Sequence, residues 1–270
     1  MGTTSRVALI TGASAGLGRA CADRLAAAGW TVIGASRRGT GGTGWAGLVM
    51  DVDDDQAVQS GVAAVAAEHG HIDALVAAAG WGVAGAAEDT TIAEAKAQFE
   101  TNFWGCVRVA QAVLPHMRAQ GAGRIVLLSS LGGVIGIPFQ AYYSASKFAL
   151  EGFAESIGYE VAAFGIAVTL VQPGNFATDF TASRKTAAGA GGGSAYAAAT
   201  AKAVAVMERD ERNGAPPADV AIAVQRVLDA RRPPRRVSVG KASERVGLIA
   251  KRLLPFRLFE AAAKGSLGVE

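Results

Sequence analysis

VALITGASAGLGRACADRLAAAG, residues 7–29, changes character part-way along its length. VALIT, 7–11, is a short apolar run of the kind that forms a strand covered on both faces. RACADRLAAAG, 19–29, has a helical pattern, and Gly12, Gly16 and Gly18 fall at the junction. A strand-to-helix turn without side chains lets a phosphate approach backbone N–H groups at the positive end of the helix. The context, more than the glycines, makes Gly12, Ser14, Gly16, Leu17 and Gly18 candidate ligand-binding positions.

The same alternation continues outward. Apolar or β-branched runs recur at TVIGA (31–35), GLVM (47–50), ALVA (74–77), RIVLL (124–128), IAVTLV (166–171) and RVSV (236–239), with helical patterns between most of them. Between 94 and 118, Phe99, Phe103, Cys106, Ala110, Val113, Leu114 and Met117 stand three or four residues apart, predicting a helix. Seven such strands alternating with helices make a doubly wound parallel sheet between two helix layers, an α/β fold. The segment 181–200, TASRKTAAGAGGGSAYAAAT, departs in composition and reads as a loop leading into a helix.

A second chemical signal is YYSASK, 142–147. On a helix Tyr143 and Lys147 share a face, whereas Tyr142 points elsewhere, so Tyr143 is the lysine's partner. A tyrosine acting as general acid/base near neutrality needs its pKa lowered by about three units, roughly 4 kcal/mol. One ammonium at about 4 Å, with an effective dielectric near 20, supplies on the order of 4 kcal/mol. Ser130 closes the fifth apolar run, at the sheet edge where such folds bind ligands.

TGxxxGxG followed by YxxxK resembles the short-chain dehydrogenase/reductase family. The match runs from 5 to about 240: Asp51 and Val52 after the third strand, Asn102 in TNFWG, Ser130 in LLSS, and PGNFAT at 173–178. The form of PGNFAT looks like the branch that includes 17β-hydroxysteroid and retinol dehydrogenases.

The resemblance implies a single-domain Rossmann fold over 1–240, with a substrate loop at about 180–215, and an enzyme that interconverts an alcohol and a ketone or aldehyde. By resemblance Tyr143 moves the proton, Lys147 lowers its pKa and holds the nicotinamide ribose, Ser130 steadies the alkoxide, and Asn102 kinks its helix to place a relay water. Asp51, Val52, Ala78, Gly80, Pro173, Gly174 and Phe176 would line the cofactor, with Thr178 at the carboxamide. Homodimers or homotetramers through the helices carrying Asn102 and Lys147 are also implied. One departure stands out. The family's Asn-Asn-Ala-Gly is AAAG here, Ala77 to Gly80, so the amide side chains that would brace the sheet centre are absent.

Cofactor choice is read at the end of the second strand. A carboxylate there would grip ribose hydroxyls and repel a 2′-phosphate, but the chain has Ser36 followed by Arg37 and Arg38. An arginine at that place makes charge-assisted contacts with phosphate, which predicts NADP(H). NAD(H) preference and a non-catalytic nucleotide sensor stand as alternatives. Trp81, Ile135, Phe139, Phe176 and Phe180 predict a roomy apolar pocket for a lipophilic carbonyl or alcohol.

Composition narrows the classes further. Half of the 270 residues are hydrophobic and 18% are charged, which suits a globular core. Cys21 and Cys106 form neither a disulfide framework nor metal-ligand spacing, so a reducing cytoplasm is expected. The start, MGTTSRVALIT, is too brief for a signal peptide. HGH at 69–71 lacks a third ligand, and no metal site is expected. Net charge is +3, with ten Lys or Arg against three Glu between 231 and 270. The basic residues are not spread over the fold among aromatics, which speaks against nucleic-acid binding. The extension 241–270 is basic and amphipathic. It is expected to dock on its own domain over the substrate, with contact to an anionic membrane as the alternative.

Overall fold

The computed structural model describes residues 5–266 of the 270, so positions 1–4 and the last four of the expected extension, 267–270, lie outside the described residues. The first half runs β1 (Val7–Thr11), α1 (Gly16–Ala27), β2 (Thr31–Ser36), β3 (Ala46–Val49), α2 (Asp55–His69), β4 (Ala74–Ala77), β5 (Val83–Ala84), α3 (Ile92–Phe99) and α4 (Gly105–Gln120). There follow β6 (Gly123–Leu128), α5 (Ala141–Glu160), β7 (Ile166–Pro173), α6 (Phe180–Ser183), β8 (Lys185–Thr186), α7 (Ala197–Arg212), α8 (Pro217–Asp229), β9 (Arg236–Val239), α9 (Ala242–Leu253) and α10 (Phe256–Ser266).

Seven strands form one sheet in the order β3-β2-β1-β4-β6-β7-β9, every pair parallel. The expected apolar runs are these seven strands. Parallel pairing buries both faces, and two core clusters result. Leu9, Leu75, Val109 and Leu150 lie in the cluster facing α2, α4 and α5, while Ile10, Leu25, Val76 and Val224 lie in the one facing α1 and α8. Because β1 pairs with β2 on one side and β4 on the other, the order reverses there and opens a crevice at the carboxyl ends of the strands.

Local chemistry sets the helix ends. Asp54 caps α2 by accepting from Ala57 N at 2.8 Å, and Gly70, at φ 77°, ends it. Thr91 and Glu94 form a reciprocal capping box at the start of α3. The helix predicted across 94–118 is not continuous: Glu100–Trp104 is a π-helical turn between α3 and α4. Such a turn inserts one residue and redirects a side chain, here Asn102. Two short strands absent from the sequence reading, β5 and β8, pair Val83 with Lys185 and Ala84 with Thr186. They stitch the segment after α6 to the one after β4, across the carboxyl edge of the sheet.

Candidate active site

One cleft of about 1460 Å³ runs along that edge. Of the candidate catalytic and cofactor-binding residues singled out from sequence, all line it except Gly18 and Asn102. Both of these act from behind the wall. A Cβ on Gly18 would lie 2.4 Å from Gly12 O, so the glycine allows helix α1 to close on the turn. Gly12 itself has φ 68°, and a Cβ there would be 2.8 Å from Ala79 Cα.

The turn suits a phosphate. Ala15, at the N-cap of α1, offers no side-chain cap, and no acidic residue sits in the first turn. The leading N–H groups of α1 are therefore left for an anion. At the same end of the cleft Arg37 and Arg38 are exposed, while Ser36 turns inward and accepts from Gly39 N at 3.1 Å. Asp51 and Val52, which follow the neighbouring strand β3, also line the cleft.

AAAG is braced from another strand. Thr11 Oγ1, at the end of β1, accepts from Ala78 N at 3.2 Å and from Ala79 N at 3.3 Å. Its hydroxyl ties the AAAG backbone to the end of β1. Thr11 is 1% exposed, and a lone polar residue closing an otherwise apolar strand was the signal that could have revealed it.

Helix α5 brings the acid/base candidates together. Tyr143 and Lys147 occupy its buried face one turn apart, and the Tyr143 phenol is hydrogen-bonded to Ser130. Ser130 Oγ also accepts from Gly132 N at 3.0 Å, which orients the hydroxyl. Tyr142 points away and donates to Ala87 O. Lys147 Nζ donates to Leu128 O at 2.8 Å and lies 6.0 Å from the Tyr143 ring centroid.

The electrostatics differ from the sequence expectation. Burial pushes the Tyr143 pKa above the usual tyrosine value, and the Ser130 hydrogen bond offsets only part of that. Burial likewise pulls Lys147 below the ordinary lysine range. Without further positive charge in the cleft, Lys147 does not by itself acidify Tyr143, because desolvation penalises both ions.

Asn102 is fully buried in the π-turn. Its amide accepts from Trp81 N at 3.0 Å and donates to Trp81 O at 2.9 Å and to Ser146 Oγ at 3.3 Å. Those bonds tie α4, α5 and the strand β4 loop into one unit beneath Gly80. Phe139, expected in the pocket, is not in its wall; it adopts φ 60° and its carbonyl accepts from Gly85 N.

The extension was expected to dock over the substrate, but the residues it contributes, and an ion pair beneath Phe180, were not named from sequence. Glu244 of α9 accepts from Asn175 N at 3.1 Å, fixing the extension to the Pro173-Gly174 turn. Gly247 and Ala250 of α9 and Phe259 of α10 complete the cleft wall. Beneath Phe180, Arg184 and Glu211 form an ion pair with side chains 4% and 12% exposed, and Thr181 donates to the same carboxylate. Their spacing of 27 residues across a loop gives no sequence periodicity to read.

Residues 6–189 match the family model described as short chain dehydrogenase. The chain belongs to the short-chain dehydrogenase family. Over 260 residues, 96% of this chain and 97% of its relative, it is 39% identical to 3-ketodihydrosphingosine reductase of Bacteroides thetaiotaomicron. Over 131 residues, 48% of this chain and 41% of the relative, it is 41% identical to human retinol dehydrogenase 8. A crystal structure of a short-chain dehydrogenase from Streptomyces avermitilis superposes with TM-score 0.83 and 33% identity, covering 98% of this chain and 99% of that one. The family membership makes this an oxidoreductase with a nicotinamide cofactor, and the cleft is its candidate active site.

Proposed function

We propose that this short-chain dehydrogenase is an NADP(H)-dependent reductase interconverting a lipophilic ketone or aldehyde and its alcohol. One observation carries the reading: Ser130, Tyr143 and Lys147 meet in the same continuous cleft as the glycine turn and the two exposed arginines. Gly12, Ser14, Gly16, Leu17 and the α1 N-terminus would hold the pyrophosphate, Arg37 and Arg38 the 2′-phosphate, and Thr178 the carboxamide. A bound nicotinamide would supply or accept the hydride, and its oxidised form would add positive charge to the cleft.

The protein's own part is positioning and proton transfer. Tyr143 gives its phenolic proton to the carbonyl oxygen as the alcohol forms, and takes it back in the reverse direction. Ser130 donates to the same oxygen and stabilises charge developing there. Lys147 orients the ribose and adds positive charge, while Asn102 holds Trp81, Gly80 and α5 in register as a positioning residue. With its pKa raised by burial, Tyr143 rests as the neutral phenol that carbonyl reduction draws on.

Leu131, Ile135, Phe180, Met207 and Phe259 give the substrate end of the cleft an apolar wall. With the 39% identical relative named for reducing 3-ketodihydrosphingosine, a long-chain ketone is the first substrate class to try. We take residues 1–240 as the catalytic domain, 180–215 as the substrate loop and 241–270 as the extension, acting in the cytoplasm. Trp104 on the π-turn and Phe148 on α5, 49% and 41% exposed, support a homodimer or homotetramer through these helices. Tyr143→Phe should abolish turnover of a long-chain ketone while NADPH titration by nicotinamide fluorescence stays within about twofold of wild type. A variant that keeps most of its rate would refute the role of Tyr143.

A further inference from the structure

The extension uses only one side of its helices to pack. Gly247 and Ala250 of α9 face the cleft, Glu244 is bonded to Asn175 N, and Lys251 Nζ lies 5.0 Å from the Phe148 ring centroid while donating to Val134 O. The other side is left uncovered. Val246, Ile249 and Leu253 form a stripe along α9, 58%, 58% and 76% exposed. At the Pro255 elbow the stripe continues into Leu254, Phe256 and Leu258, 42%, 76% and 60% exposed. Aliphatic and aromatic side chains this exposed, this close together, are unusual on a monomeric soluble surface.

Arg245, Arg252 and Arg257 flank this stripe and are exposed, and none of them makes an ion pair among the described residues. Between 231 and 270 the sequence has a net +7, against −4 for the remainder. An apolar ridge edged by unpaired arginines is the pattern of a helix lying in a membrane interface, with the ridge among acyl chains and the guanidinium groups at anionic headgroups. A second copy of the chain fits less well, because a two-fold pairing of this ridge would bring the arginines of both copies together.

We propose that the α9–α10 elbow docks on an anionic lipid surface. The inner faces of the same helices form the cleft wall, so docking holds the cleft within about a helix diameter of the bilayer, a short path for a lipophilic carbonyl dissolved there.

The test is cosedimentation of the full chain with vesicles of phosphatidylglycerol and phosphatidylcholine, beside vesicles of phosphatidylcholine alone. Wild type should pellet with the anionic vesicles, and weakly with the neutral ones or at high salt. Leu253→Glu with Phe256→Glu should bind at least ~10-fold more weakly, as should Arg252→Glu with Arg257→Glu, with circular dichroism and melting unchanged. Neither pair lines the cleft. Absence of wild-type binding, or binding by either variant as tight as that of wild type, would overturn the proposal. So would an oligomer that the Leu253→Glu, Phe256→Glu variant splits into monomers, since that assigns the ridge to a second copy.

Discussion

Replacing Thr11 by Val tests how the AAAG backbone after β4 is held. The change keeps the branched shape and removes one oxygen, which is the acceptor for both Ala78 N and Ala79 N. Thr11 is 1% exposed, so the valine brings no solvent to replace it. A buried donor left without a partner costs about 1–3 kcal/mol, and these two donors are only part-buried at the cleft wall. The two bonds, at 3.2 and 3.3 Å, are long, which puts each near the lower end and the pair at about 2–3 kcal/mol. Urea unfolding should show that loss as a lower midpoint with an unchanged slope. Because Ala79 is the backbone against which Gly12 packs, the glycine turn should loosen too, and NADPH affinity should fall by about tenfold. Thr11→Ser keeps the acceptor and loses a methyl, so its cost should stay near 1 kcal/mol with NADPH binding retained. Thr11→Val within about 0.5 kcal/mol of wild type, with unchanged NADPH affinity, would refute the bracing role.

Further expectations concern other parts of the cleft. Arg37→Ala with Arg38→Ala should weaken NADPH by about tenfold and leave NADH unchanged, the modest size reflecting solvent screening of exposed arginines. Equal effects on both cofactors in a fluorescence titration would make the arginines plain surface charges. Glu211→Gln leaves the buried Arg184 guanidinium unpaired, and its Nε and Nη1 already have no partner, so unfolding should show a loss of about 3–5 kcal/mol. Arg184→Met combined with Glu211→Leu should recover most of that; a double variant as unstable as Glu211→Gln would argue against an unpaired-charge penalty. Burial pushes the Cys21 thiol up to about 12 and raises Cys106 as well, so little thiolate exists at pH 8 in the folded chain. Thiol titration at that pH should find neither cysteine until denaturant is added, and rapid labelling of the native protein would contradict their burial.

The pH behaviour of Tyr143 follows from the same desolvation. Its pKa is raised in the folded chain, so the neutral phenol persists to higher pH than in a free tyrosine. Oxidation of an alcohol, which needs the phenolate as base, should therefore rise with pH across the alkaline range, while ketone reduction should be retained toward neutrality. A tyrosinate difference spectrum of the cofactor-free protein showing a group titrating well below the ordinary tyrosine value would contradict this order.

What the sequence determined by itself was local or periodic. VALIT followed by glycines at 12, 16 and 18 specifies strand, turn and helix within the twenty-three residues 7–29, because sterics and backbone hydrogen bonding act over that range. The seven apolar runs specify a parallel sheet buried on both faces, and the spacing of Tyr143 and Lys147 places them on one helix face without any tertiary information. The π-turn at Asn102 lay beyond that reach, since it is stabilised by bonds to Trp81 and Ser146, 21 and 44 residues away in the chain. Only the tertiary structure decided that Thr11 braces Ala78 and Ala79, that Glu244 pins the extension to Asn175, and that Arg184 meets Glu211. It also decided the direction of the shifts in the cofactor-free site, where burial raises the Tyr143 pKa and lowers that of Lys147. Desolvation depends on every atom that closes over a site, and no stretch of sequence contains that sum.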